Sequence, residues 1–146
     1  MMTTTADAAT ETRVSGDATP ALGGVARPRH CMVVHAHYPL AETRVQREAE
    51  ALIAAGYAVD VICLRGEGEA ARERYRGVDV HRLPVGVDKS SLGRQFLSYL
   101  RFFALATVRL SKLHLRRPYR SVQVHNLPDF LVFCALLPKL RRVPVI

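Results

Sequence analysis

The chain has 146 residues, of which 49% are apolar and 23% charged, and this is the size and composition of one globular domain with a buried core. Its net charge of +8 is unevenly placed, because residues 1–28 carry two basic and three acidic side chains whereas residues 29–146 carry nineteen and ten. The basic part favours an anionic partner such as a membrane surface, a phosphorylated acceptor or nucleic acid.

Residues 1–28 are rich in Thr, Ala, Gly and Pro and contain neither an early basic cluster nor an apolar run of even seven residues. This pattern is not that of a secretion signal. It also lacks the apolar surface that would offset the entropy cost of ordering the chain. We therefore predict a disordered tail over 1–28 and a folded domain over 29–146.

The three cysteines, Cys31, Cys63 and Cys134, each lie inside an apolar run, and the sequence contains no CxxC pair or Cys/His cluster. An odd number of cysteines in apolar runs indicates buried free thiols in a reducing compartment, so we expect a cytoplasmic protein. The missing zinc-ligand spacing predicts that no metal is bound.

Short apolar runs of strand length alternate with stretches of helical periodicity along the folded part. The predicted strands, numbered one to five, are 29–35, 58–64, 78–85, 121–125 and 143–146. The predicted helices are 44–55, 91–117 and 127–142, the last kinked or ended early by Pro138. Residues 66–77 are charged and irregular, which favours a loop or a short surface helix.

Strands that alternate with helices predict an α/β fold, a Rossmann-like parallel sheet with helices on both faces, in the strand order 3-2-1-4-5. Strand three contains polar Asp79 and His81 and ends near Pro84, which indicates an edge position because proline cannot donate to a central ladder. Strand five has no following helix to cover it. That pattern indicates either a truncated product or a strand that ends a complete small domain.

Two polar, histidine-bearing segments, 35–44 and 125–129, follow strands one and four. In open parallel sheets, ligands bind outside the carboxyl ends of the strands near the point where the strand order reverses. The two segments are therefore predicted to face each other across a binding crevice. The alternative is that each histidine only satisfies local backbone groups. On helix 44–55, Arg44 and Glu48 stand four residues apart on the predicted solvent side.

The stretch ETRVQREAEALIAAGYAVDVICL, followed about sixty residues later by SVQVHNLPDFLVFCALLPKLRRVPVI, resembles the N-terminal domain of family 4 glycosyltransferases. The resemblance covers residues 29–146 and implies half of a GT-B fold, in which two Rossmann-like domains enclose a cleft. It also implies retaining transfer of a sugar from a nucleotide-sugar donor to an acceptor. The family's C-terminal domain grips the donor, so we expect the fragment alone to be inactive.

The resemblance implies roles for several residues of the two segments. His125 corresponds to the family histidine at the end of strand four, which points into the cleft beside the reacting sugar. This catalytic candidate would donate to a sugar hydroxyl or balance charge near the leaving phosphate. His37, Asn126 and Asp129 are substrate-binding candidates, although Asp129 is equally explained as a first-turn acid favoured by the helix dipole. Gln123 stands where the family often has a further histidine.

Family members commonly have glycines in the loop after strand one, and here no glycine occurs between Gly24 and Gly56. Backbone contact with donor phosphates is therefore not expected in this loop. Arg44, at the start of the following helix, is a candidate for binding an anion instead, or is an ordinary solvated side chain.

The predicted helix 91–117 has basic residues along one stripe and apolar residues on the opposite side, with Leu105 inside the basic stripe. The basic residues are Arg94, Arg101, Arg109, Lys112 and Arg116, and the opposing ones are Leu92, Phe96, Leu100, Phe103 and Leu110. Its longest apolar run is far shorter than the about 20 residues that span a bilayer. The helix either contacts an anionic membrane that carries a lipid-linked acceptor, at the inner face of the plasma membrane, or packs on the domain with solvated arginines.

Other functions lack their motifs. No GxGxxG follows strand one and no GxxxxGK[ST] occurs, so no NAD or other cofactor is predicted. No helix-turn-helix, zinc finger or RNP-like motif occurs, so nucleic acid is not expected as a partner. The alternative function is a basic nucleic-acid- or anion-binding Rossmann-like module without catalytic activity.

Overall fold

A computed structural model of the chain describes residues 26–41, 43–86, 90–125 and 129–146, without the side chains of residues 129 and 130. The predicted disorder of the tail 1–28 falls almost entirely outside the described residues. The strands are β1 (Arg29–His37), β2 (Ala58–Leu64), β3 (Arg72–Tyr75), β4 (Val78–Leu83) and β5 (Ser121–His125). The helices are α1 (Thr43–Ala54), α2 (Leu92–Arg116), a 3-10 helix (Asp129–Ala135) and α3 (Leu136–Leu140).

The strands form one sheet in the order β3-β4-β2-β1-β5, in which β4, β2, β1 and β5 are parallel and β3 is antiparallel to β4. Beyond β5, Val145 pairs with Val122 in a parallel bridge. The Rossmann-like α/β prediction is confirmed, and the strand order differs from the predicted one by the additional strand β3.

The predicted edge position of strand three is wrong, because β3 covers the outer side of β4. The two strands are joined by Arg76 and Gly77, whose φ angles of 46° and 85° are both positive. Two such residues make the mirror-image turn that matches the twist of a hairpin. Pro84 follows the last residue of β4 and does not interrupt its hydrogen bonds. Residues 66–77 are therefore neither all loop nor a helix.

The predicted helix 91–117 is confirmed as α2, with Ser91 as its N-cap accepting a hydrogen bond from the Arg94 backbone N–H. The predicted helix 127–142 is instead a 3-10 helix followed by α3. Pro138 lies in the first turn of α3, where a missing N–H breaks no intrahelical hydrogen bond. Predicted strand five is reduced to the bridge at Val145.

The core has two layers, one on each face of the sheet. Under α2, the buried side chains include Cys31, Val33, Ile62, Phe102 and Leu110. Under α1, they include Met32, Val34, Val45, Ala49 and Val61. Successive residues of β1 alternate between the two layers, as the strand period requires. The predicted buried free thiols are confirmed for all three cysteines.

A buried ionic network lies in the layer under α2. Asp60 on β2 is only 4% exposed, and its carboxylate lies 2.5 Å from the Arg29 guanidinium on β1. His81 on β4 donates from Nε2 to the other Asp60 oxygen at 2.8 Å. The Arg29 guanidinium also lies 4.4 Å from the centre of the Tyr119 ring. The network therefore connects three adjacent strands and the segment that precedes β5.

Candidate functional site

The carboxyl ends of β1 and β5 lie side by side, as the predicted order required. The register pairs Val34 of β1 with His125 of β5. Because the strands are parallel, the segments that follow them leave from the same edge of the sheet. The predicted juxtaposition of the two histidine-bearing segments therefore agrees with the topology.

His125 is more buried than a ring in an open cleft would be, with 5% of the residue exposed. Its strand partner is Val34, which belongs to the layer under α1. The His125 Nε2 lies 3.5 Å from the Glu48 carboxylate on α1. Gln123 donates from Nε2 to the same Glu48 oxygen at 3.1 Å. The ring is therefore held between the end of β5 and α1.

Further polar side chains continue from His125 along the pair of strands towards their amino ends. His30 Nδ1 lies 2.7 Å from the Ser121 hydroxyl, and the two residues are partners in the strand register. Burial lowers the pKa of His30, and a hydrogen bond with Gln123 opposes that shift. We refer to His30, Glu48, Ser121, Gln123 and His125 together as the β5 polar cluster.

The sequence predicted Glu48 on the solvent side of its helix, and the structure places it over β5 instead. Glu48 precedes Ala49 and follows Val45 by three residues, and both of these are buried. It therefore lies at the border of the buried stripe of α1. Whether this border faces β5 depends on how α1 is placed over the sheet, which the sequence of α1 does not indicate.

The two histidines in the carboxyl-terminal half of β1 occupy different surroundings from His125. The His35 ring contacts Tyr99 and Phe102 of α2, with centroid distances of 4.6 Å and 4.8 Å. Burial lowers the pKa of His35. His37 is half-buried at the end of β1, where the register shifts and pairs it with Leu64 of β2. His37 therefore lies at the carboxyl edge but on the side of β1 away from β5.

The remaining site candidates are placed less fully. Arg44 is exposed in the first turn of α1. Asn126 lies outside the described residues. Asp129 begins the 3-10 helix, and its side chain is not among those described. The structure therefore brings the end of β1 to His125 and leaves the roles of these three residues as predictions.

The loop after β1 is fixed by packing. Tyr38 is buried, and burial raises the pKa of its hydroxyl to about 12. The buried Arg82 guanidinium donates to the Tyr38 carbonyl at 3.4 Å and forms ion pairs with Glu69 and Glu73 at 3.1 Å and 2.7 Å. The sequence did not indicate Arg82, the penultimate residue of β4, because a single arginine at a strand end belongs to no recognisable motif.

The apolar face predicted for helix 91–117 is only partly correct. The buried residues of α2 are Ser98, Phe102, Ala106, Leu110 and His114. Leu92, Phe96 and Leu100 are exposed, whereas Leu105 packs against the core. The buried face of α2 therefore lies beside the basic stripe and not opposite it. Leu105, inside the stripe, points to the core and adds no apolar side chain to the exposed surface.

The basic stripe of α2 has an exposed apolar neighbour. Arg94, Arg101, Lys112 and Arg116 are exposed and Arg109 is half-buried. On the outer side of the stripe, Leu97, Val108 and Leu115 expose 65%, 51% and 55% of their surface. None of the helices among the described residues is long and apolar enough to cross a membrane.

A cleft of about 340 Å³ lies between the carboxyl end of β4 and the first half of α2. Ser98 and Gly86 both line it, and the Ser98 hydroxyl donates to the Gly86 carbonyl at 2.8 Å. Arg94 and Arg101 line it together with Leu97. The carboxyl edge therefore offers a concave, basic surface as well as the histidines.

Comparison with known proteins gives two kinds of finding. The model of the glycosyl transferase 4-like domain family matches residues 41–146. No curated protein sequence matches the chain significantly.

Two solved structures share the fold. Sucrose-phosphate synthase from Thermosynechococcus elongatus is 17% identical with a TM-score of 0.57, over 80% of this chain and 30% of that one. The C-terminal domain of a hydrogenase from Pyrococcus furiosus is 14% identical with a TM-score of 0.57, over 84% of this chain and 94% of that one. At these identities the likeness concerns the fold alone, and the chain spans less than a third of the synthase.

The family match covers well over half of the chain, and it confirms the resemblance found in the sequence. The chain therefore belongs to the glycosyl transferase 4-like domain family.

Proposed function

We propose that the chain supplies the acceptor-side half of an enzyme that transfers a sugar, with retention, from a nucleotide-sugar donor to an acceptor. The observation that carries this proposal is the family match over 41–146, which includes β5 and the histidine at its carboxyl end. The carboxyl edge of a Rossmann-like sheet is also where such folds bind ligands. The protein would act in the cytoplasm, on a sugar or a lipid-linked acceptor.

His125 is the catalytic residue in this proposal. An imidazole at the end of β5 can donate to a hydroxyl of the reacting sugar or balance charge near the leaving phosphate. Binding and stabilising the diphosphate would be the task of a donor-binding domain. Positioning and charge stabilisation supply most of the acceleration in such a transfer. These 146 residues alone are therefore expected to show no turnover with nucleotide sugars.

A chimera tests the proposal. Residues 29–146 replace the corresponding domain of a complete family member, and sugar transfer is measured with a panel of nucleotide sugars and acceptors. The chimera should transfer sugar, and His125→Ala should lower turnover by about a hundred- to a thousandfold, the usual effect of losing one stabilising donor. A chimera that folds but binds no acceptor would refute the proposed half-enzyme.

His30→Ala is the matched control, because His30 is a buried histidine of the same polar cluster at the opposite end of the strand pair. It should lower the melting temperature while turnover per folded molecule stays close to that of the chimera. If His125→Ala also lowers only the melting temperature, His125 is a structural residue and the catalytic assignment is wrong.

The basic stripe of α2 and the exposed apolar side chains beside it favour an anionic membrane surface as a partner. Leu97 and Leu115 lie beside exposed Arg101 and Arg116, so the same face offers apolar side chains and positive charge. A helix lying on a membrane inserts its apolar side chains among the lipids and places its basic ones against the anionic headgroups. Such a surface would bring the carboxyl edge to a lipid-linked acceptor.

Sedimentation with vesicles tests this contact. The chain should sediment with anionic vesicles and not with neutral ones, and reversing the charge of Arg101 and Arg109 should abolish the effect. Reversal of Arg47 and Arg74, exposed on α1 and β3, is the control that changes net charge equally. Equal loss in both double variants would show attraction by net charge only. Tight binding to double-stranded DNA, falling steeply with salt, would favour the alternative anion-binding module.

A further inference from the structure

Glu48 belongs to the β5 polar cluster, and the sequence assigns it no role. It projects from the middle of α1 towards β5 and approaches the Nε2 atom of His125 to 3.5 Å. This distance is too long for a good hydrogen bond and lies within the range of an ion pair. The Glu48 side chain is 37% exposed and the His125 side chain only 5%, so the carboxylate is the more accessible of the two groups.

A second contact holds the carboxylate in place. Gln123 donates to the same Glu48 oxygen that faces His125, at 3.1 Å. Gln123 and His125 are two residues apart on β5, so their side chains lie on the same face of the sheet. The amide of Gln123 therefore keeps the negative charge next to the imidazole, where a freely rotating glutamate would spend only part of its time.

Among the described contacts, charged or titratable groups approach this ring from two elements. From α1 the facing group is Glu48, and from β1 it is His30, whose own pKa is lowered first by burial and also by the charge of His125. A carboxylate favours a protonated imidazole, and a second imidazole opposes it. Glu48 lies in direct contact with His125, so its effect is the larger of the two.

We propose that Glu48 is a positioning residue for His125. The Glu48 carboxylate keeps a proton on Nε2 of the His125 ring and favours its imidazolium form. This inference rests on the proposed function of His125 and names how the ring is prepared for it. In a neutral imidazole one nitrogen carries the proton and the other accepts, and the partner of one nitrogen decides which is which. With a carboxylate beside Nε2, the proton that His125 gains or releases during transfer is the one on Nδ1.

A merely structural role for Glu48 predicts something different. If the carboxylate only tied α1 to β5, the uncharged Glu48→Gln variant would serve nearly as well, because its amide oxygen still accepts from Gln123. The ring would then keep its titration and its tautomer. The electrostatic role requires the charge, and the substitution removes the charge alone.

The experiment is a histidine NMR titration of the whole chain, with the His125 signals identified from the spectrum of His125→Ala. The matched control is Glu50→Gln, which removes the same charge from the same helix where the glutamate pairs with Arg76 instead. Glu48→Gln should move the midpoint of the His125 titration to lower pH by roughly one pH unit, as for an opposite charge at this range. Long-range proton–nitrogen correlations should show the neutral ring losing its preference for a proton on Nε2. Glu50→Gln should change neither.

Indistinguishable His125 spectra in the two variants would overturn the inference, and so would an equal shift in both. Amide spectra of each variant show whether the fold is retained, and Glu48→Asp provides a second variant that keeps the charge at a longer distance. The titration needs neither donor nor acceptor, so its failure is distinguishable from failure of the proposed function. In the active chimera, Glu48→Gln should also displace the pH profile of turnover in the same direction.

Discussion

Removing the charge of Asp60 should destabilise the fold far more than removing the charge of its neighbour across the sheet. Asp60 on β2 and Asp79 on β4 are partners in the strand register, so Asp60→Asn and Asp79→Asn make the same chemical change at adjacent positions. Asp60 is buried between Arg29 and His81, whereas the Asp79 side chain is 50% exposed and lies 3.7 Å from the Arg74 guanidinium.

The magnitudes follow from burial. Removing one partner of a buried ion pair costs about 3–5 kcal/mol, because the remaining charge is left without compensation. An asparagine at position 60 still offers an amide oxygen to Arg29, so we expect the lower end, about 3 kcal/mol. An exposed pair contributes at most about 1 kcal/mol, which bounds the effect of Asp79→Asn.

Urea unfolding followed by circular dichroism measures both variants. With a slope of about 2 kcal/mol per molar urea for a small domain, Asp60→Asn should lower the midpoint by about 1.5 M while the slope stays unchanged. Asp79→Asn should move the midpoint by less than about 0.5 M. Midpoints of the two variants that agree within error would refute the conclusion that the buried network holds the three strands together.

Three further predictions concern acid, catalysis and thiols. Burial acts to raise the pKa of Asp60, but the hydrogen bond from His81 and the charge of Arg29 outweigh it, and the pKa of Asp60 lies below its ordinary value. The stability that Asp60 contributes is therefore complete above the pKa of an unfolded aspartate, and it is lost as the pH falls through the pKa of Asp60 in the folded chain. Urea midpoints at acid pH should consequently fall less in Asp60→Asn than in the wild type. In the chimera, His125→Ala should reduce turnover sharply, and an unchanged rate per folded molecule would remove His125 from the site. The three cysteines should not react with a thiol reagent at pH 8 until the chain is unfolded, because burial raises their thiol pKa values, to about 11 for Cys63 and about 12 for Cys134.

The strands that could be predicted from the sequence are those that are buried on both faces. β1 and β2 are nearly continuous apolar runs, and α2 begins at a serine N-cap and ends before a proline, so each follows from local pattern. β3 could not be found in this way, since Arg72-Glu73-Arg74-Tyr75 faces solvent and carries no apolar signal. Its turn is also unusual, because an arginine takes the left-handed position that normally indicates asparagine or glycine.

The candidate site was also predicted only in part. The neighbourhood of His125 and the end of β1 follows from the strand order, which the alternation of strands and helices predicts. The contact with Glu48 does not, because it depends on how α1 lies across the sheet rather than on the sequence of either element. The burial of His125 was missed for the same reason, as a strand-end residue is exposed or covered according to what packs above it.

The hairpin at the outer edge of the sheet also affects how copies of the chain meet one another. An unpaired outer strand offers a row of backbone donors and acceptors to any other extended chain, and such edges promote aggregation. Here the outermost strand is only four residues long and carries Arg72, Glu73 and Arg74 in succession. A second copy that approached this edge in register would bring like charges together and would gain few hydrogen bonds. The short charged strand therefore acts as a barrier to edge-to-edge association and keeps the inner parallel strands of the sheet from becoming a template.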